Sequence, residues 1–376
     1  MSDMQALHLF DGVYAGRRVL VTGHTGFKGS WLVRWLQRMG AQVTALALPA
    51  EGEPSHHALL QTLPSEAGIA PLNEHIMDLG DADGVRRCLQ GAAPEVVFHL
   101  AAQALVRPSY ADPVRTYATN VMGLIHVLEA VRVTPSVRVL LNVTTDKCYR
   151  NVNRVEGYRE QDALGGHDPY SASKACAEIV TASYRDSFLQ RPDRLGGGMA
   201  VATARAGNVI GGGDWSVDRL VPDLVRGAVS GQAVPIRYPH ATRPWQHVLE
   251  PLAAYLRIGQ LLWQQRPGLS MAWNIGPAQD GHVSVADMIG LMAAQWPAIR
   301  HEVVAAPQPH EAGLLHLDCS LARQELAWAP VWSTAEMVHQ TMAWYRAWHE
   351  RGEVMTDAQL HAFIAAAHRG GQAWAA

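Results

Sequence analysis

The chain has 376 residues, 48% of them hydrophobic and 17% charged, enough for two packed domains and too apolar for wholesale disorder. A net charge of −3 with no lysine-rich tail excludes the basic footprint of a nucleic-acid binder. No apolar run reaches the roughly 20 residues of a membrane helix, the first 18 residues lack the order of a signal peptide, and Cys88, Cys148, Cys176 and Cys319 form no CxxC pair, so a cytoplasmic protein without a metal centre is expected.

In chain order, Arg18-Val-Leu-Val-Thr22 is an apolar run leading into Gly23-His-Thr-Gly-Phe-Lys-Gly29. Leu32, Trp35, Leu36 and Met39 then recur at helical spacing up to a stop at Gly40, and 42–48 reads as the next strand. Strand, glycine turn, helix and strand is the setting in which such glycines cradle a dinucleotide. The bare backbone approaches the pyrophosphate, whose charge sits at the helix N-terminus. Further strands are expected at 74–78, 95–100, 137–144 and 199–204. A long amphipathic helix at 114–131 carries Tyr117, Val121, Leu124, Leu128 and Val131. This alternation predicts an α/β fold: a Rossmann-type doubly wound parallel sheet with a smaller, discontinuous C-terminal α/β substrate domain. Residues 1–204 and 242–276 are assigned to the cofactor domain, 205–241 and 277–376 to the substrate domain. In the second half, Trp328, Trp332, Trp344 and Trp348 are expected to anchor a core or interface, and 357–376 to form an alanine-rich helix with a frayed end.

Arginine supplies almost all the positive charge; Lys28, Lys147 and Lys174 are the only lysines. An arginine neither gives up its proton nor presents a compact ammonium, so a site needing either keeps lysine. All three lysines fall inside motifs. Asp168-Pro-Tyr-Ser-Ala-Ser-Lys174 puts Tyr170 and Lys174 on one helix face. An ammonium beside the phenol favours the phenolate, a base useful near neutrality.

Thr22-Gly-His-Thr-Gly-Phe-Lys-Gly29, His99-Leu-Ala-Ala102 and Tyr170-x-x-x-Lys174 resemble the extended short-chain dehydrogenase/reductases that process nucleotide sugars. Thr144-Thr-Asp-Lys-Cys-Tyr149 sharpens the resemblance. Sugar-nucleotide 4,6-dehydratases carry Thr-Asp-Glu there, and their CDP-glucose branch carries Asp-Lys. Asn208-Val-Ile-Gly-Gly-Gly-Asp-Trp215, Asp218-Arg-Leu220 and Arg243-Pro-Trp-Gln-His-Val248 agree with that branch, so the likeness runs from Arg18 to Tyr345.

The resemblance implies a catalytic set of Thr145, Asp146, Lys147, Tyr170 and Lys174. It implies a cofactor site of Gly23, Thr25, Gly26, Phe27, Lys28, Gly29, Asp78, Leu79, Leu100, Ala101 and Ala102, with Tyr170 and Lys174. Gln103, Arg107, Asn208, Arg219, Leu220, Arg237, Tyr238, Arg243, Asn274 and His310 are the implied substrate contacts. In the implied reaction Tyr170 and Thr145 handle the 4-hydroxyl proton while hydride leaves C4. The ketone acidifies the C5 proton, a base removes it, an acid protonates the departing 6-hydroxyl, and hydride returns to C6. A cofactor recycled within each turnover favours retained NAD. No acid stands at Ala47-Leu48 for the ribose, the nearest being Glu51 and Glu53, so the residues leave NADP open. Asp146 is the natural acid. Lys147 stands where relatives place a glutamate base, and acts either as a neutral base or as an ammonium stabilising the enolate. Cys148 reads as packing.

A homodimer or dimer-based tetramer is expected through an isologous contact of helices 114–131 and 170–185. The alternatives are an NDP-hexose 4-epimerase, a dTDP- or GDP-sugar 4,6-dehydratase, and a non-catalytic NAD(P)-sensing protein. Asp146-Lys147 weighs against the epimerase, and the intact Tyr170 and Lys174 against the sensor.

Overall fold

The computed structural model describes residues 8–64, 69–278, 281–304 and 314–376. Seven strands form one parallel sheet: β1 (Arg18–Thr22), β2 (Gln42–Ala47), β3 (Asn73–Ile76), β4 (Val96–His99), β5 (Val139–Val143), β6 (Ala200–Ala206) and, after three strands of the smaller sheets, β10 (Ala272–Ile275). Those three are β7 (Asn208–Ile210), β8 (Val234–Ile236) and β9 (Thr242–His247). The order is β10-β6-β5-β4-β1-β2-β3, so the winding reverses between β1 and β4, the place where doubly wound sheets bind ligands. β11 (His282–Ser284) joins β9 and β7 in a three-stranded sheet, and β12 (His301–Val303) pairs with β8.

The helices among the described residues are α1 (Phe27–Arg38), α2 (His56–Gln61), α3 (Ala82–Ala92), α4 (Val106–Ala111), α5 (Pro113–Tyr117), α6 (Gly123–Arg132), α7 (Pro169–Tyr184), α8 (Leu220–Ser230), α9 (Leu249–Trp263), α10 (Val285–Gln295), α11 (Ser320–Leu326), α12 (Thr334–Arg351) and α13 (Thr356–Arg369). A π-turn at Ala118–Met122 joins α5 to α6, which realises the long helix read at 114–131. No described helix is long and apolar enough to cross a membrane.

Every residue of β4 and β5 is buried, because helices cover both faces of the sheet. Period-two alternation sorts their side chains. Val19, Val21, Val139 and Leu141 pack with α1 and α9, while Leu20, Val97 and Leu140 pack with α3 and α6.

β9, expected with the cofactor domain, hydrogen-bonds instead to β7 and β11. The C-terminal end, expected in the substrate domain, packs on α1. Trp35 meets Phe363 edge to face, Arg34 and Arg38 pair with Asp357, and Phe10 stacks on Trp374 at 5.1 Å. The end is therefore not frayed: Trp374 is fully buried in this aromatic cluster. Trp328 and Trp344 are core residues, as expected.

Candidate active site

β1 delivers the chain to Gly23, where φ is +80° and an added Cβ would lie 2.7 Å from the Ala101 amide nitrogen. At Gly29 a Cβ would lie 2.0 Å from the Gly23 carbonyl oxygen. Only glycine fits either position. α1 then starts at Gly26 with no side-chain cap and no acid in its first turn, and its first residues line a cleft. Uncapped N–H groups and the positive end of the helix dipole make this a cradle for phosphate. The loop is held by Thr25 Oγ1, which donates to the Leu48 carbonyl at 2.9 Å. Leu100 and Ala101 amides both donate to Thr22 Oγ1 at 3.2 Å.

On the far side of the switch point, β5 ends in a tight 3-10 turn, Asp146–Cys148, rather than continuing extended. Thr145 caps it, its Oγ1 accepting from the Lys147 amide and donating to Asp146 Oδ1 at 3.0 Å. Lys147 Nζ lies 3.4 Å from the same Oδ1 and 3.5 Å from Asn208 Oδ1. Asp146 Oδ2 is buried with no hydrogen-bond partner among the described residues. Cys148 is fully buried, as its packing role requires.

α7 brings Tyr170 to this turn. Asp168 Oδ1 accepts from the Ser171 amide at 2.9 Å, and Pro169 occupies the first helical position. Tyr170 is hydrogen-bonded to Thr145; burial pushes its phenol up to about 12, while Thr145 and the Arg219 cation pull it down. Lys174 Nζ donates to the Val143 carbonyl at 3.2 Å. Burial brings its ammonium down to about 8, with Glu178 holding it up. Sequence reasoning gave Lys174 the main part in favouring the phenolate, whereas here Thr145 and Arg219 act on the phenol directly. Lys28 is also drawn in: burial, Lys174, Arg219 and Lys147 together lower it to about 7. All three lysines of the chain thus meet in one place.

The cleft has a volume of about 970 Å³ and runs from the glycine loop to α8 and β8. Every predicted cofactor residue from Gly23 to Ala102 lines it, as do Thr145, Lys147 and Tyr170. So do the predicted substrate residues Gln103, Arg107, Asn208, Arg219, Leu220, Arg237, Tyr238 and Arg243. Arg107 pairs with Asp218 at 2.9 Å, and Arg219 donates to the Ala104 carbonyl at 3.0 Å. Arg243 is buried, its Nη1 donating to the Thr242 carbonyl. Cationic side chains on both walls suit a diphosphate.

Asn274 is a correction. It is fully buried away from the cleft, accepting from Tyr149 Oη at 2.6 Å and donating to the carbonyls of Tyr158 and Asp318. Its amide is consumed in joining segments of the fold. His310 lies outside the described residues. Ser55, His56, Asp223 and Arg226 also line the cleft and escaped sequence reasoning, since nothing local distinguishes them from residues of an ordinary helix.

The GDP-mannose 4,6 dehydratase family matches the chain over residues 20–269. The chain is 44% identical over 347 residues to a CDP-glucose 4,6-dehydratase of Salmonella typhimurium, covering 91% of this chain and 94% of that one. Among solved structures, the epimerase Mth375 of Methanothermobacter thermautotrophicus has a TM-score of 0.77 at 23% identity, over 93% of this chain and 96% of that one, a likeness of fold. A UDP-glucose 4-epimerase of Thermus thermophilus in complex with NAD has a TM-score of 0.71 at 26% identity, over 88% and 99% of the two chains.

Proposed function

The chain belongs to the GDP-mannose 4,6 dehydratase family and is a nucleotide-sugar 4,6-dehydratase; we propose that it converts CDP-glucose to CDP-4-dehydro-6-deoxy-glucose with NAD as cofactor. The observation that carries this reading is that Thr145, Lys147 and Tyr170 line one cleft, with the buried Asp146 in contact with Thr145 and Lys147. Epimerisation at C4 needs a tyrosine and a lysine, whereas loss of water across C5 and C6 needs a further acid and base.

The Gly23–Gly29 loop and the first turn of α1 hold the dinucleotide pyrophosphate, and Asp78, Leu79 and Leu100 to Ala102 line the remainder of its site. Bound NAD supplies a hydride acceptor for C4 and a hydride donor for C6. Tyr170 takes the proton of the 4-hydroxyl, with Thr145 sharing that hydrogen bond and Arg219 favouring the negative phenolate. Elimination needs a base at C5 and an acid at the 6-hydroxyl, and Lys147 and Asp146, 3.4 Å apart, are the pair of groups available for these two roles. Lys147 removes the C5 proton, Asp146 protonates the departing 6-hydroxyl, which leaves as water, and Lys147 returns its proton to C5 as hydride reaches C6. Arg219 and Arg243 hold the diphosphate, Arg237 and Tyr238 the base, and Gln103 and Arg107 the sugar side. The active unit is a homodimer, supported by exposed apolar residues on the α5, α6 and α7 side: Val114, Met122, Ile179 and Phe188.

The test is incubation with NAD and, in parallel, CDP-glucose, dTDP-glucose and GDP-mannose, followed by the absorbance of the 4-keto sugar in alkali. Product from CDP-glucose without net NADH is expected. Product from another nucleotide sugar alone would overturn the substrate; net NADH or an epimer would overturn the reaction.

A further inference from the structure

Three side chains that the proposed reaction does not use converge beside the glycine loop. His24 follows Gly23, His57 stands in the first turn of α2, and Glu74 lies on β3, the edge strand of the large sheet. The two imidazole Nε2 atoms point at one carboxylate oxygen, Glu74 Oε1, at 2.6 and 2.7 Å. Their rings stand edge to face, 5.1 Å apart, and one ligand atom from each residue lies within 4.8 Å of the others. His24 is fully buried, and its Nδ1 has no hydrogen-bond partner among the described residues, so its polar contact is directed at this one point. His57 is mostly buried and Glu74 is 27% exposed on its side chain, which leaves one side of the cluster open to water.

We propose that His24, His57 and Glu74 form a divalent transition-metal site, taking zinc or a similar borderline ion with an open fourth position. Two imidazoles and a carboxylate select zinc or cobalt over magnesium and calcium, which take oxygen ligands. Tetrahedral bonds of about 2.0 Å separate neighbouring ligand atoms by about 3.3 Å, so Glu74 withdraws by about 0.6 Å on binding. A partly exposed side chain on an edge strand has room for that. Gln61 Nε2, 2.9 Å from His57 Nε2, is exposed and swings away.

Such an ion joins the glycine loop to α2 and β3. Gly23, Thr25 and His56, the neighbours of its ligands, all line the cleft. Resting on the dinucleotide reading of that cleft, metal and cofactor affinities are therefore coupled, each changing the other by the same factor.

The site is tested on chelator-stripped full-length protein titrated with cobalt(II), a readout independent of sugar turnover. One equivalent giving the visible band of tetrahedral cobalt, displaced by zinc and insensitive to magnesium, is expected. His57→Ala and the near-isosteric Glu74→Gln should each weaken binding at least about tenfold, while their circular dichroism stays that of the parent. Zinc should raise the melting temperature of the parent and not of His57→Ala. Absence of the band, or a band unchanged in both variants, overturns the proposal and leaves an imidazole–carboxylate hydrogen-bond cluster.

Discussion

Arg205 on β6 and Glu178 on α7 form an ion pair of 2.7 Å whose two side chains are almost completely buried. Glu178 also accepts from Thr203 Oγ1 at 2.8 Å and from Thr144 Oγ1. The helix that carries Tyr170 and Lys174 is thereby tied to β6 and to the residue that leads from β5 into Thr145. Removing one partner of such a pair strands a buried charge, which costs about 3–5 kcal/mol. Glu178→Ala should lose stability on that scale in urea unfolding; a loss below about 1 kcal/mol would show that the pair does not organise the site.

Tyr170→Phe keeps the ring and removes the proton acceptor. Formation of the 4-keto product should fall by about 10²–10⁴, with little change in nucleotide-sugar affinity. Asp146→Asn and Lys147→Ala should separate the two halves of elimination. In deuterated water the asparagine variant is expected to exchange the C5 proton without losing water, and the alanine variant to do neither. Exchange in the alanine variant would sink the assignment of Lys147 as base.

Lys28 carries a pH signature. Below pH 7 folded and unfolded chains both hold its proton, and the cost of burying the ammonium is fully present. Between about pH 7 and the ordinary lysine value only the unfolded chain binds it, so this contribution to stability rises with pH. Lys28→Met should raise the melting temperature most at pH 6 and progressively less towards pH 10. An equal shift at both ends would contradict the burial of this ammonium.

Asp357 works in the opposite direction. Burial pushes its carboxyl up, but hydrogen bonds and charge from Arg34 and Arg38 outweigh it and hold the group at about 2. A carboxyl depressed on folding adds stability above its unfolded value of about 3.9, and that stability is lost as pH falls towards 2. Asp357→Asn should cost about 2 kcal/mol at pH 7. Melting curves of the parent and the variant should converge as pH drops from about 4 to 2.

Ile179 is 57% exposed on α7, beside the exposed Val114 and Met122 of the adjoining helical run. A buried glutamate in a dimer contact is strongly unfavourable. Ile179→Glu should convert the particle seen by light scattering to a single protomer without changing its circular dichroism. A parent protein that already scatters as a monomer would remove this interface.

What the sequence determined by itself was local. Gly23, Gly26 and Gly29, the Tyr170 to Lys174 spacing and the Thr145-Asp146-Lys147 run each occupy a few consecutive residues. Backbone sterics and helical periodicity give such runs one geometry wherever they occur, and that geometry brought Gly23, Gly26, Gly29, Thr145, Lys147 and Tyr170 to one cleft, with Asp146 and Lys174 buried off its lining. The alternation of apolar runs likewise made the parallel sheet legible, since strands covered on both faces must be apolar throughout. Only the tertiary structure decided the rest. Asn274 is motif-like in sequence, yet its amide is taken up by Tyr149, Tyr158 and Asp318, which approach it only after folding. Trp374 looks like a loose end until Phe10, from the other end of the chain, stacks on it. His24, His57 and Glu74 lie far apart in sequence and become neighbours because β3 pairs beside β2 and α2 folds back over the glycine loop. Contacts of that kind depend on how whole elements pack, and no window of neighbouring residues carries that information.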